Sequence, residues 1–202
     1  MPIVFTAISP HPPIILPSVG SKEDREQVKE TIESLEKLGK KLKEANPDSI
    51  IIAAPHPDWG FNVPLFFLAN DFQGETKTFL IGLESPQFHF EEGKKLYQQL
   101  DKNKKYALIA SGDLSHCLKE DGPYGFNPDG PKFDEELMES LKKKNTENIF
   151  KLDEKYPEAG ECGLRPICFI LGILEASGKN WKTEVLSYEG PFGVGYLVAD
   201  LK

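Results

Sequence analysis

Tyr106-Ala107-Leu108-Ile109-Ala110-Ser111-Gly112-Asp113-Leu114-Ser115-His116 is the stretch on which the reading of this chain turns. Its apolar first half breaks into Gly, Asp and Ser, the pattern of a buried strand emptying into a loop. The loop carries a histidine to the strand's carboxyl end, where ligands collect in open α/β sheets. His116 is therefore a site candidate, set against the plainer alternative of a loop histidine that bonds its own turn.

The pattern recurs twice upstream. Residues 2–8 read as a first strand, and Ser9-Pro10-His11-Pro12-Pro13 stiffens its exit, because prolines fix φ and hold the turn in one direction. Ser49-Ile50-Ile51-Ile52-Ala53-Ala54 is a continuous apolar run of the kind found in buried parallel strands, and Pro55-His56-Pro57 follows at once. Between them, Val28, Ile32, Leu35, Leu38 and Leu42 recur at helical spacing, which predicts an amphipathic helix over 22–46, ended by Asn46-Pro47.

The remaining segments fill out the same architecture. Residues 63–68 and 78–82 read as strands, and a helix is expected from about 91 to 100, with His89 just before it as a half-buried or capping histidine. Residues 121–131 form a Gly/Pro-rich loop of the length that binding loops have, and its Tyr124 and Phe126 either wall a pocket for a flat substrate or pack the loop down. A polar helix over 133–144 and shorter helical turns over 146–156 come next. Ile167 to Leu174 is apolar on nearly every side, so it reads as a buried helix with Pro166 in its first turn. Two strands, 182–188 and 195–200, close the chain; the Gly193-Val194-Gly195 between them opens no helix, so it is a turn and not a phosphate loop. The fold class expected is α/β, a three-layer sandwich with a central mostly parallel or mixed sheet flanked by helices, as a single domain over 1–202.

Composition removes several function classes. A net charge of −8, with lysines lying on helices already rich in glutamate, leaves no basic stripe for nucleic acid. No apolar stretch approaches the ~18 residues of a membrane span, and the N-terminus lacks a signal-peptide pattern. Cys117, Cys162 and Cys168 form no paired framework, which fits a reducing compartment. A cytoplasmic homo-oligomer is expected.

If the three histidine-bearing strands are parallel neighbours, His11, His56, His116 and Glu161 converge on one sheet edge. Glu161 and Cys162 stand at the start of the buried helix, where free N–H groups and the macrodipole favour an anion; the plain alternative for Glu161 is an ion pair with Arg165. Two histidines and a carboxylate suit non-haem Fe(II) and its reactions with oxygen, although zinc hydrolases use the same ligand types. Cys168 is core, and Cys117 has no partner at ligand spacing.

Taken together, Ser9-Pro10-His11-Pro12-Pro13, Pro55-His56-Pro57, Gly112-Asp113-Leu114-Ser115-His116 and Glu158-Ala159-Gly160-Glu161-Cys162-Gly163 resemble the LigB-like superfamily of class III extradiol ring-cleavage dioxygenases, including its Memo-like branch. The resemblance implies a mononuclear iron held by two histidines and a glutamate, acting with O2 on a catecholic or other small aromatic substrate. Matched by position, His11 and His56 look like the histidine ligands and Glu161 like the glutamate. His116 looks like the acid/base, with Asp113 of the same motif in the catalytic set. In the Memo-like branch a Cys-Gly-Arg-His-Pro stretch supplies a cysteine, and Cys162-Gly163-Leu164-Arg165-Pro166 is similar to it. Either Glu161 or Cys162 completes the site; carboxylate suits Fe(II), and thiolate suits zinc or copper. The alternatives to ring cleavage are a Memo-like metal-binding protein and a metal-dependent hydrolase.

Overall fold

The protein is described by a computed structural model covering residues 2–202. Among these, six strands form one mixed sheet: β1 (Ile3–Ser9), β2 (Ser49–Ala54), β3 (Glu75–Leu80), β4 (Tyr106–Ser111), β5 (Thr183–Glu189) and β6 (Tyr196–Leu201), in the order β3-β2-β4-β1-β6-β5. The first four are mutually parallel, and β6 runs antiparallel to both β1 and β5. The apolar runs explain which strands sit centrally, since β2 and β4 are buried at every position and covered on both faces. β3, with its Thr and Lys, is an edge strand and largely exposed.

Helices cover both faces. On one lie α1 (Lys22–Gln27), α2 (Lys29–Ala45) and α3 (Trp59–Leu68), where Leu35, Leu38 and Val63 pack with Ile50, Ile52 and Ile109. On the other lie α4 (Pro86–Gln99), α5 (Asp129–Lys143) and α8 (Leu164–Ser177), where Leu137, Ile167 and Ile170 pack with Ile51, Leu108 and Ala110. The short α6 (Thr146–Ile149) and α7 (Leu152–Lys155) link α5 to α8. The expected three-layer α/β arrangement is thus the one observed. β1 leads into the first helical layer and β4 into the second, so the crevice beyond their carboxyl ends is a topological switch point. Ser9 pairs with Ser111 and Ala53 with Ala110, so the three strands end level and their loops emerge side by side.

Several expected elements change. Residues 63–68 are not a strand but the second half of α3: a short apolar run does not separate a buried strand from a buried helix, and here the chain is already helical at Trp59. The helix expected over 22–46 breaks at Val28 into α1, which a Ser21–Asp24 capping box starts, and α2, which ends on left-handed Asn46. α4 begins earlier than expected, at Pro86 behind a Ser85 cap, which puts His89 inside it. α5 likewise begins at Asp129.

α4 and α8 touch through glycine on both sides. A Cβ on Gly172 would stand 1.9 Å from the Phe90 carbonyl oxygen, and one on Gly93 2.0 Å from that of Phe169. Only glycine permits backbones this close.

Candidate metal centre

The level strand ends bring three proline- and glycine-rich exits together. The His11 backbone N–H donates to Asp113 Oδ1 at 2.9 Å, and its ring Nδ1 lies 3.0 Å from Ser111 Oγ. The His11 and His56 rings meet edge to face with centroids 5.5 Å apart. His11 is buried, whereas His56 is exposed, on the four-residue loop between β2 and α3.

Cys162 arrives from the opposite layer. Its N–H donates to the Asp113 carbonyl at 3.2 Å, the Asp113 N–H donates to its Sγ at 3.3 Å, and its Sγ lies 3.7 Å from His11 Nε2. The approach depends on two facing glycines, since a Cβ on Gly112 would stand 2.3 Å from Gly163 Cα. As a result, single donor atoms of His11, His56 and Cys162 all lie within 4.8 Å of one another, and so do those of Asp113, His116 and Cys162. Glu161 joins neither group. Its Oε2 accepts the Leu164 N–H at 2.6 Å and its Oε1 faces Arg165 Nη1 at 3.3 Å, so the carboxylate caps the first turn of α8. Adjacent residues at a turn point in different directions, and Cys162 is the one turned toward the histidines.

The model for the catalytic LigB subunit of aromatic ring-opening dioxygenase matches residues 5–57 and 56–199. The chain belongs to the LigB family. Protein CA_C1420 of Clostridium acetobutylicum is 33% identical over 265 aligned positions, covering 96% of this chain and 56% of that protein. The chain thus spans little more than half the length of this curated relative. The crystal structure of uncharacterized protein JW3007 from Escherichia coli K12 shares the fold at a TM-score of 0.65 and 16% identity, covering 98% of this chain and all of that one.

In this LigB-family site burial sets the electrostatics. It pushes the His11 imidazole down to about 4, with His56 acting in the same direction, so the ring is neutral at ordinary pH. It pushes the Asp113 carboxyl up to about 6, against the opposing hydrogen bond from the His11 N–H, and the Cys162 thiol well above its ordinary value, helped by Asp113. Such groups are poor at holding their own charge and suited to sharing a cation, which turns a thiol into a thiolate and needs an imidazole already neutral. The donor set therefore fits a transition-metal ion.

His116 stands beside this group, not within the His11–His56–Cys162 set. Its N–H donates to the Gly160 carbonyl at 3.1 Å, and its ring lies 5.0 Å from that of Tyr124, tilted by 38°. Its Nε2 is buried with no hydrogen-bond partner, and burial lowers the ring's pKa, against the pull of Asp113. Tyr124, 65% exposed, is carried on a loop pinned by a bridge between Leu118 and Phe126 and by an Asn127 N–H bond to the Cys117 carbonyl. Phe126 on the same loop and Trp59 at the start of α3 are also exposed aromatics. His89 lies elsewhere, buried in α4 with Nε2 3.2 Å from the Gly82 carbonyl.

Two supporting residues escape a reading of the sequence. Asp134, on the expected polar helix, is buried: Ser115 N–H donates to its Oδ1 at 2.8 Å and Tyr188 Oη–H to its Oδ2 at 2.5 Å, bracing the turn before His116. Burial pushes its carboxyl up to about 7. A lone acid among many on an amphipathic helix gives no signal of this. Ser111 looks like the first loop residue but is the last of β4, and its hydroxyl bridges His11 to α3.

Among the described residues no helix is long and apolar enough to cross a membrane.

Proposed function

We propose that this protein is a metal-dependent oxidoreductase of the ring-opening dioxygenase type, acting with O2 on a catecholic or other small aromatic substrate. The observation that carries the reading is the convergence of His11, His56 and Cys162 within 4.8 Å, beside the unpartnered Nε2 of His116. His11 Nε2, a ring nitrogen of His56 and Cys162 Sγ would hold the ion. When bound, a transition-metal ion supplies Lewis acidity and reactivity toward O2. His116 Nε2 takes the proton from a substrate hydroxyl and returns it later, as a neutral, partly buried imidazole is suited to do. The exposed face of Tyr124 orients a flat ring against His116, and Asp113 holds the His11 backbone in place. Protein loaded anaerobically with Fe(II) is expected to take up O2 with members of a catechol panel and release a yellow ring-opened product. His116→Ala should lower the rate by about a hundredfold or more. Absence of turnover, with His116→Ala indistinguishable from wild type, rejects the reading.

One observation favours a second reading. A sulfur, not the Glu161 carboxylate, faces the two histidines, and thiolate suits zinc or copper better than Fe(II). A Memo-like metal-binding protein without ring cleavage would bind copper or zinc, lose that binding in Cys162→Ser, and consume no O2 with any catechol.

A further inference from the structure

We propose that Ser111 is a positioning residue that fixes His11 in the Nδ1–H tautomer and so aims a bare Nε2 at Cys162. Pro64 lies inside α3. In an α-helix the N–H of each residue bonds the carbonyl four residues back, and proline has no N–H to give. Pro64 therefore leaves the Gly60 carbonyl without its helical donor, and Ser111 Oγ lies 2.5 Å from that oxygen.

The direction of each bond then follows. A carbonyl oxygen only accepts, so the single hydroxyl proton of Ser111 goes to Gly60. Toward His11 the hydroxyl has only lone pairs left, and the 3.0 Å contact with Nδ1 is an Nδ1–H donating to Oγ. A neutral imidazole has one N–H, so Nε2 is bare, and it is this nitrogen that lies 3.7 Å from Cys162 Sγ. A missing amide in one helix thus determines which nitrogen of a histidine on another strand is free to ligate. Ser111 is fully buried, so water does not substitute for its hydroxyl as acceptor.

The consequence for metal affinity rests on the reading of His11 as a ligand, whereas the tautomer does not, and the experiment separates the two. In metal-free protein labelled with 15N-histidine, long-range proton–nitrogen correlation at about pH 8, above the usual imidazole value, reports the protonated nitrogen of each of the four histidines. A His11→Asn variant assigns the signal. Wild type is expected to show Nδ1–H at His11, and Ser111→Ala to shift the population toward Nε2–H, with the amide spectrum otherwise preserved. A zinc titration should show binding weakened about 10- to 100-fold in Ser111→Ala. Pro64→Ala, which restores a competing donor for the Gly60 carbonyl, should shift the tautomer in the same direction by less. Nε2–H in wild type, or an unchanged tautomer in Ser111→Ala, overturns the proposal. Nδ1–H in wild type that shifts in Ser111→Ala, in a protein that binds no zinc, iron or copper, upholds the role of Ser111 and overturns the metal reading instead.

Discussion

Gly172, midway along α8, lets the Phe90 carbonyl of α4 come within 1.9 Å of where a Cβ would stand, and Gly163, just ahead of the same helix, lies 2.3 Å from the Cβ position of Gly112 at the exit of β4. The device is the same, and the surroundings differ. Around Gly172 the facing residue is Phe90, buried and apolar, and the close approach yields packing. Around Gly163 the facing residues are Gly112 and Asp113, with Cys162 next to it in the chain, and the close approach brings the Asp113 and Cys162 donors together. One helix is held at its middle by packing and at its start beside a group of candidate metal ligands.

Substituting each glycine separates the two roles. Gly172→Ala drives a methyl into the Phe90 backbone of α4 and should cost about 3 kcal/mol or more of unfolding free energy, read by denaturant titration, while the folded fraction keeps wild-type metal affinity. A wild-type midpoint would break the comparison at its stability end. Gly112→Ala meets loop backbone that gives way more readily, so the cost should be nearer 1–2 kcal/mol. Displacing the Cys162 turn should lower zinc affinity by about tenfold or more, read by calorimetry. Equal affinity would mean that the glycine contact does not position the sulfur.

Smaller effects sharpen the picture at the start of α8. Glu161→Ala removes the acceptor for the Leu164 N–H and should lower stability by about 1 kcal/mol, with zinc affinity unchanged. A large loss of affinity would return Glu161 to the ligand set. The last effect is one of pH dependence and concerns Asp134. Its carboxyl is raised from 3.8 to about 7 in the fold, so between those values the unfolded chain releases a proton that the folded chain retains. Stability from this group is therefore present at low pH and declines as pH rises through that window. Asp134→Asn should flatten the decline in a pH series of melting temperatures, and an unchanged slope would assign it to other groups.

The parts of the fold most visible in the sequence are short apolar runs that break abruptly into proline or glycine. β1, β2 and β4 announce themselves as apolar runs, and each is followed by a histidine, so the sheet edge where His11, His56 and His116 gather could be anticipated. α3 could not, because Val63-Pro64-Leu65-Phe66-Phe67-Leu68 has no period that separates helix from strand, and its Pro64 argues against either interior. The choice between Glu161 and Cys162 was equally hidden. Both stand at the same helix start, and only the path of the turn, set by the Gly112–Gly163 contact across the crevice, determines which side chain faces inward. Ser111 and Asp134 act through long-range contacts that a linear pattern does not register.

The unequal exposure of the two histidines divides thermodynamics from kinetics. His11 is enclosed and braced by Ser111 and Asp113, while His56 projects from its loop into solvent. For any ion held between them, a chelator or an incoming ion meets His56 first. Loading and stripping rates are then governed by one exposed ring, and residence at equilibrium by the enclosed partners, so His56→Ala should change exchange rates more than His11→Ala does, relative to the affinity each one loses.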